Sequence, residues 1–366
     1  MKVLIQHRHG DEISGVTTYV STILPELRSL DIDADIVSTQ KDRLTVWLRK
    51  IKQCDIVHMN SNHLGFAAIC KLLGKKIVIK YHFPFYKTTH SEYFPSSYSK
   101  RIWEEIKALQ PKSNYPLKWK LFAAINYVRL GIRMSTAHLA DLHIACSEFM
   151  AKSLDFPWPV ETVYNPISLH HISSKKLADL EGPLTFTFVG RIEKDKGVDL
   201  LLNAAAHIAP SSPKFKIYII GNGTFLEPLK ELSKKLDLED KVIFKGKLPP
   251  EELLPIVQKS LALVVPSRIQ DPAPYVVMEA SSVATCSITS EAGGLPEIAT
   301  PVGLSFERED FKTLTNLLQY ALENPEEMLQ RGQQAYEYTG KNFSPMRTAC
   351  QLAELCSRLN QAKSEV

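Results

Sequence analysis

Short apolar runs recur along this chain, each followed by a polar turn and then by a stretch with apolar positions three and four residues apart. Buried parallel strands alternating with covering helices produce that rhythm. In the first half the runs predict strands over residues 2–6, 34–37, 55–58, 77–80 and 142–146. Val20, Ile23, Leu24 and Leu27 lie at helical spacing behind Ser14-Gly15-Val16. In the second half strands are predicted over 184–190, 216–220, 242–246 and 262–266, with a helix carrying Leu200, Leu201, Ala204 and Ala205. Outer helices are expected over 310–323 and 326–339, and a closing helix over 347–359. The fold class is α/β with parallel sheets.

A chain of 366 residues is long enough for two domains, each burying its own core. The Asn165-Pro166 turn and the polar stretch 168–182 mark the boundary between them. The net charge of +4 is too small to argue for nucleic acid as a partner. Its distribution is uneven: residues 1–180 carry 24 Lys+Arg against 16 Asp+Glu, and residues 181–366 carry 20 against 24. The first half is therefore the one suited to an anionic surface.

Much of that charge lies in 99–134, where Lys100, Arg101, Lys107, Lys112, Lys118, Lys120, Arg129 and Arg133 alternate with Trp103, Tyr115, Trp119, Phe122 and Tyr127. The pattern suits an interfacial helix on anionic lipid, and equally a solvated outer helix packed by its aromatics. Cys54, Cys70, Cys146, Cys286, Cys350 and Cys356 show no C-x-x-C spacing and read as reduced core residues. The N-terminus runs straight into a strand, without the pattern of a secretory signal, and no apolar run is long enough to cross a bilayer. The expected location is cytoplasmic, at most peripheral on a membrane.

Candidate chemistry collects where strands end. The stretch 268–298 opens on Asp271-Pro-Ala-Pro274 and passes into a helical pattern containing Glu279, two turns in, with Pro296 at a first helical position further on. Free amides and the positive end of a helix dipole there suit a phosphate, while Asp271 and Glu279 are placed to accept from hydroxyls. Arg191 leaves a strand end with Lys196 five residues on, so both cations can converge on one anion. Gly221-Asn-Gly223 is a tight turn of a common kind, and Gly15 permits close backbone approach at a helix start. Asn60 and His58 are carried toward a loop, and His82 stands at a strand end, where open parallel sheets bind ligands. Asp33 and Asp35 fall in or beside a strand, so no Asp-x-Asp sits at a strand end as a metal-holding motif would.

The segments Phe188-Val-Gly190-Arg191 with Lys196-Gly197, Ile220-Gly-Asn-Gly223, Phe244-Lys-Gly246, Val265-Pro-Ser267, Asp271 with Glu279, and Gly293-Gly-Leu-Pro-Glu297 occur in one order over roughly 185–298. In that order and spacing the chain resembles the retaining glycosyltransferases of the GT4 family. The first half matches more loosely, through Ser14-Gly15-Val16, 55–58, His82, Ser147 and Asn165-Pro166. The resemblance implies GT-B architecture, with two Rossmann-like domains facing across a cleft: an acceptor-side domain over 1–168 and a donor-binding domain over 183–340. It also implies that a C-terminal helix at about 344–366 returns to the first domain.

The implied reaction moves a sugar from a nucleotide-sugar to a saccharide or lipid-linked acceptor, with retention and without metal or other cofactor, in surface polysaccharide or glycolipid synthesis. Arg191 and Lys196 would hold the diphosphate, Glu279 the ribose, Asp271 the sugar, and the region of Lys247-Leu248 the base. His82 would meet the transferred sugar, and Gly15, Gly190, Gly221, Gly223, Ala273, Pro274 and Tyr275 would line the donor site. The family usually has Glu at Asp271, Phe-Gly at Ala273-Pro274 and a second Gly at Ser14, so the way the loop meets the sugar should differ. A non-catalytic nucleotide- or protein-binding relative and a nucleotide-sugar epimerase remain as other readings.

Overall fold

The computed structural model describes residues 1–8, 14–86, 97–110, 117–170, 177–180, 182–212, 214–299 and 301–361. Lys112 and Tyr115 of the sequence reading lie outside these residues, as do 171–176 and 181 of the polar stretch. The chain divides into two compact units, Met1–Pro166 with Pro345–Val366, and Ile167–Ser344.

The first unit alternates β1 (Lys2–His7), α1 (Gly15–Ser29), β2 (Asp33–Ser38), α2 (Leu44–Gln53), β3 (Ile56–Met59), α3 (Leu64–Leu72) and β4 (Lys76–Tyr81). Two consecutive helices follow, α4 (Tyr98–Leu109) and α5 (Leu117–His138), then β5 (Leu142–Ala145), α6 (Glu148–Leu154) and β6 (Val160–Thr162). The strands form one parallel sheet in the order β2-β1-β3-β4-β5-β6. β1, β3 and β4 read as nearly continuous apolar runs because helices cover both faces of the sheet. His58 lies inside β3 and is wholly buried, donating to or accepting from the Tyr19 hydroxyl at 3.2 Å; only Asn60 reaches the loop. Asp33 and Asp35 both lie in β2.

α1 begins on a reciprocal cap. Ser14 Oγ accepts from the Thr17 amide at 3.2 Å, and Thr17 Oγ1 accepts from the Ser14 amide at 2.8 Å. The serine at this position thus fixes the helix start that Gly15 opens.

The second unit runs β7 (Leu184–Val189), α7 (Val198–Ile208), β8 (Phe215–Ile220), α8 (Leu226–Lys235), β9 (Val242–Gly246), α9 (Pro250–Gln258), β10 (Ala262–Val265), α10 (Tyr275–Ser281), β11 (Cys286–Ser290), α11 (Leu295–Ala299), β12 (Leu304–Phe306), α12 (Phe311–Glu323) and α13 (Pro325–Asn342). Its parallel sheet has the order β12-β11-β10-β7-β8-β9, with a core of Phe186, Phe188, Ile217, Ile219, Val264 and Ile288 beneath α7 and α12. α11 starts at Leu295, which puts Pro296 at its second position, where the absent N–H is still harmless.

After Asn165-Pro166 the chain belongs with the second unit. The Ile167 amide donates to Phe343 O at 2.8 Å, the His170 amide to Ser282 O at 3.3 Å, and the Tyr336 hydroxyl to His170 O at 3.1 Å. The polar composition of 168–170 reflects exposure, not detachment. α14 (Pro345–Gln361) then packs on the first unit, burying Ala349, Leu352, Leu355 and Cys356 in one cluster with Tyr19, Val20, Ile23 and Leu27 of α1. Five of the six cysteines are buried and Cys350 is exposed.

Candidate active site

The order of the second sheet locates its site. The chain lays β8 and β9 to one side of β7 and then β10, β11 and β12 to the other, so the direction of winding reverses between β7 and β10. Loops leaving those two strands part in opposite directions and leave a crevice beyond the carboxyl ends. The loops are 190–197 and 266–274, which carry Arg191, Lys196 and Asp271.

Backbone hydrogen bonds lock the neighbouring loops together. The Ile192 amide donates to Asn222 O at 2.9 Å, the Phe225 amide to Ile192 O at 3.0 Å, the Arg268 amide to Asp195 O at 2.8 Å, and the Gly294 amide to Asp271 O at 2.8 Å. Gly221 and Gly223 permit this approach: a Cβ would fall 1.8 Å from Gly190 O at the first and 2.2 Å from Ile192 O at the second. Gly197 adopts φ +69° with its Cα against Pro266 O, where a Cβ would fall at 1.9 Å.

Within this frame Lys196 Nζ lies 3.1 Å from Asp271 Oδ2, both groups being largely buried. Arg191 is exposed at the end of β7 and makes no ion pair with Asp271 among the described residues. The two cations therefore have different settings: Lys196 is already held by an acid, and Arg191 is available. Glu279 sits in the second turn of α10, nearer the loop than the two turns read from sequence, because the helix begins at Tyr275 behind Pro274. Its side chain is mostly buried with no cation beside it among the described residues, and burial raises its carboxyl above the usual range. A carboxylate so stripped of water gains strongly from donated hydroxyl hydrogens.

Ala273 and Tyr275 are half-buried on the same loop, and Pro274 is buried and gives no N–H. Gly190 ends β7, whereas Lys247 is exposed and Leu248 half-buried beyond β9, the edge strand. Nothing among the described contacts brings the last two to Lys196.

Arg268 is the residue whose part the sequence did not reveal. Its guanidinium makes a fork on Asp199 at 2.6 and 3.0 Å, donates to Lys194 O at 2.8 Å, and reaches Glu309 at 3.2 Å. It clamps the β10 loop to the start of α7, on either side of Lys196. Asp199, four residues before Asn203 in the first turn of an apolar-faced helix, was the available signal for an acid in need of a partner.

The first sheet reverses between β1 and β3, and a cavity of about 580 Å³ opens beyond their carboxyl ends. Asn60, Ser61, His82 and Asn126 are among its lining residues, with Arg8, Lys80, Arg129 and Arg133. Buried Gln6 holds the loop, donating to Thr39 at 3.0 Å and Ser61 at 2.7 Å. Asn60 Nδ2 donates to Gln6 O, so its Oδ1 accepts from His82 Nε2 at 2.9 Å. That leaves the Nδ1 of His82 as a buried lone pair without a partner among the described residues. Burial first, then Lys80 and His58, holds the imidazole neutral well below its ordinary range.

Lys80 is 2% exposed, with Nζ 3.8 Å from the centre of the Tyr19 ring. Burial lowers it to about 7. A lysine ending an otherwise apolar strand was visible in the sequence, although its place at the cavity depends on the pairing of β4.

The basic aromatic segment forms α4 and α5. Arg101 is fully buried, next to Asp155 and over the Tyr86 ring, so it is not available to a surface, and the side chain of Trp119 is outside the described set. Leu121, Phe122, Ile125, Val128 and Ile132 instead form an exposed apolar stripe along α5. No described helix is long and apolar enough to cross a membrane.

Comparison with known proteins bears on both units. The family model described as Glycosyltransferase Family 4 matches residues 39–171, and that described as Glycosyl transferases group 1 matches 171–338. A D-inositol 3-phosphate glycosyltransferase of Corynebacterium efficiens is 28% identical over 186 residues, covering 49% of this chain and 43% of that protein. A glycogen synthase of Mycobacterium tuberculosis is 28% identical over 176 residues, covering 48% and 42%. The aligned region thus spans less than half the length of these relatives.

Among solved structures, Anabaena Alr3699/HepE in complex with UDP superposes with a TM-score of 0.71 at 15% identity, covering 98% of this chain and all of that one. Sucrose-phosphate synthase from Thermosynechococcus elongatus gives 0.71 at 18% identity, covering 99% of each. The fold shared with these neighbours is GT-B. With the two family models spanning residues 39–338 between them, the chain belongs to the GT4-type glycosyltransferases, group 1.

Proposed function

We propose that the chain transfers a sugar from a nucleotide-sugar to a saccharide or lipid-linked acceptor with retention of configuration. The observation that carries this reading is Lys196 against Asp271 at the reversal point of the second sheet, with the unpaired Glu279 on the helix that follows. UDP and UDP-glucose in complexes of the Anabaena neighbour support a nucleotide-sugar as donor.

In the reaction the bond from the sugar anomeric carbon to the diphosphate breaks and the acceptor oxygen bonds that carbon on the same face. The acceptor proton passes to the departing phosphate. Charge growing on the phosphate oxygens is met by Lys196, Arg191 and the free amides at the start of α10, groups fixed before the reaction begins. This set meets the charge without calling on a metal ion. Glu279 accepts from the ribose hydroxyls, and Asp271 orients Lys196 and accepts from the sugar.

Incubation with a panel of nucleotide-sugars and acceptors, reading released nucleoside diphosphate, tests this. Release that requires an acceptor and is lost in Lys196→Ala supports it. Binding without release points to a non-catalytic relative, and a changed donor in the absence of acceptor points to an epimerase.

A second reading places the chain on the inner, anionic face of a membrane. It is supported by the exposed stripe of α5 beside Lys118 and Lys120, with no acidic residue in that helix. Sedimentation with anionic vesicles should weaken as salt rises, and should be lost in Ile125→Glu. Equal binding at all salt concentrations, or none, removes this reading.

A further inference from the structure

The cavity of the first unit has an unusual charge balance. Arg8, Lys80, Arg129 and Arg133 line it together with the amides of Asn60, Asn62 and Asn126, and no carboxylate is among its described lining residues. Burial makes Lys80 and Arg133 costly where they stand. Arg129 and Arg133 are like charges one helical turn apart; burial is the largest influence lowering the ionisation range of Arg133, Glu105 and Tyr86 act against it, and Arg129 lowers it further. Lys80 is buried, with an aromatic ring and a long contact to Tyr164 O at 3.5 Å in place of an acid.

Several groups are also left unsatisfied. Arg133 donates one N–H to Phe85 O while its Nε is buried without a partner among the described residues. The Oδ1 of Asn62 and the Nδ1 of His82 are buried and unpaired in the same way. Buried polar atoms without partners are uncommon, and a cluster of them around one cavity is the imprint of a polar ligand. Four cations with no acid among the described lining residues give the sign of that ligand.

We propose that this cavity binds a phosphate group of the acceptor, so that the acceptor class is a phosphorylated saccharide or a lipid-linked sugar phosphate. Arg129 and Arg133 form two forks on the phosphate oxygens from adjacent turns of α5, and Lys80 supplies a point charge from the floor. The amides and His82 then receive sugar hydroxyls, one wall of the same cavity serving the group that reacts. The inference rests on the transferase reading for the word acceptor, but the phosphate site stands on its own residues.

The test is calorimetric titration of the whole chain, first with UDP, GDP and ADP to find the one that binds. With that nucleotide saturating, so that the second unit is filled, glucose 6-phosphate, glucose and inorganic phosphate are titrated. Dioctanoyl phosphatidic acid below its micelle concentration and dioctanoylglycerol form the lipid arm.

The expected result is binding of the phosphorylated member of either pair over its uncharged counterpart, weakened about tenfold or more in Arg129→Gln, whose side chain is exposed. The sugar phosphate binding alone identifies a soluble acceptor, and the phosphatidic acid binding alone a lipid-linked one. Equal affinity for phosphorylated and uncharged ligands overturns the proposal. So does phosphate binding that Arg129→Gln leaves intact and Lys196→Ala abolishes, since it would lie in the second unit. Failure of all three nucleotides to bind counts against the donor reading alone, and the phosphate titrations are then read without nucleotide.

Discussion

Replacing Lys80 by Met should make the protein more stable at neutral pH. Burial lowers this lysine from 10.5 to about 7, and at 1.36 kcal/mol for each tenfold step the charged form costs the folded state about 5 kcal/mol relative to the unfolded chain. The opposing loss is the contact with the Tyr19 ring at 3.8 Å, worth about 2 kcal/mol when desolvated. The longer contact to Tyr164 O adds little, because that carbonyl also accepts from Thr348. Desolvation wins, and a net gain of roughly 2 kcal/mol follows at pH 7.

The sign of the pH dependence is specific. A lysine depressed in the folded state carries its full penalty below about pH 7 and is relieved as pH rises toward its unfolded value of 10.5, because the unfolded chain binds the extra proton in that window. The advantage of Lys80→Met over the natural chain should therefore shrink by about 2 to 3 kcal/mol between pH 7 and pH 9. Urea unfolding of both proteins at pH 7, 8 and 9 measures it. A constant difference across that range, or a variant less stable at pH 7, would refute the account of Lys80 as a buried, unpaired cation.

Other outcomes follow from the second unit. Lys196→Ala should lower kcat/KM by about 2 kcal/mol or more, as loss of a donor to a developing oxyanion does; near-normal turnover in a donor assay would remove it from the reaction. Glu279→Gln should raise the melting temperature of the free protein, since its carboxylate is desolvated without a cation, yet weaken donor binding, and parallel changes in both would be inconsistent with its role. Gly221→Ala should destabilise the second unit by several kcal/mol, because a Cβ there falls 1.8 Å from Gly190 O; an unchanged melting temperature would contradict that packing. Arg268→Gln should raise KM for the donor more than it lowers kcat, as loss of a clamp on the Lys196 loop rather than of a reacting group, and steady-state kinetics separate the two.

Period and punctuation made most strands legible, since runs such as those around Phe186 and Ile217 carry large apolar residues at alternate positions and are followed by glycine. The helices α2 and α3 were not assigned individually: α2 carries Arg49, Lys50 and Lys52 within ten residues, and α3 is only nine residues long. The boundary was blurred for a related reason. Residues 167–170 adjoin a polar stretch that reads as a linker, but their backbone hydrogen bonds go to Phe343 and Ser282, partners more than a hundred residues away.

The site divides in the same manner. Lys196, Asp271 and Glu279 could be picked out because each follows a strand end at short range. The clamp by Arg268, the neutral state of His82 and the burial of Lys80 depend on which strands lie side by side, and local patterning does not carry that information. Arg129 and Arg133 were read as surface charge, whereas the packing of α5 turns them toward the cavity.

The account stands on a nucleoside diphosphate being held by Lys196 and Glu279 at the reversal point of the second sheet. Calorimetric titration of the whole chain with the best binding of UDP, GDP and ADP, in the natural sequence, Lys196→Ala, Glu279→Ala and Arg129→Gln, addresses this directly. The expected result is one site per chain, weakened about tenfold or more in the first two variants and unchanged in the third. Undiminished nucleotide binding in both Lys196→Ala and Glu279→Ala would contradict it.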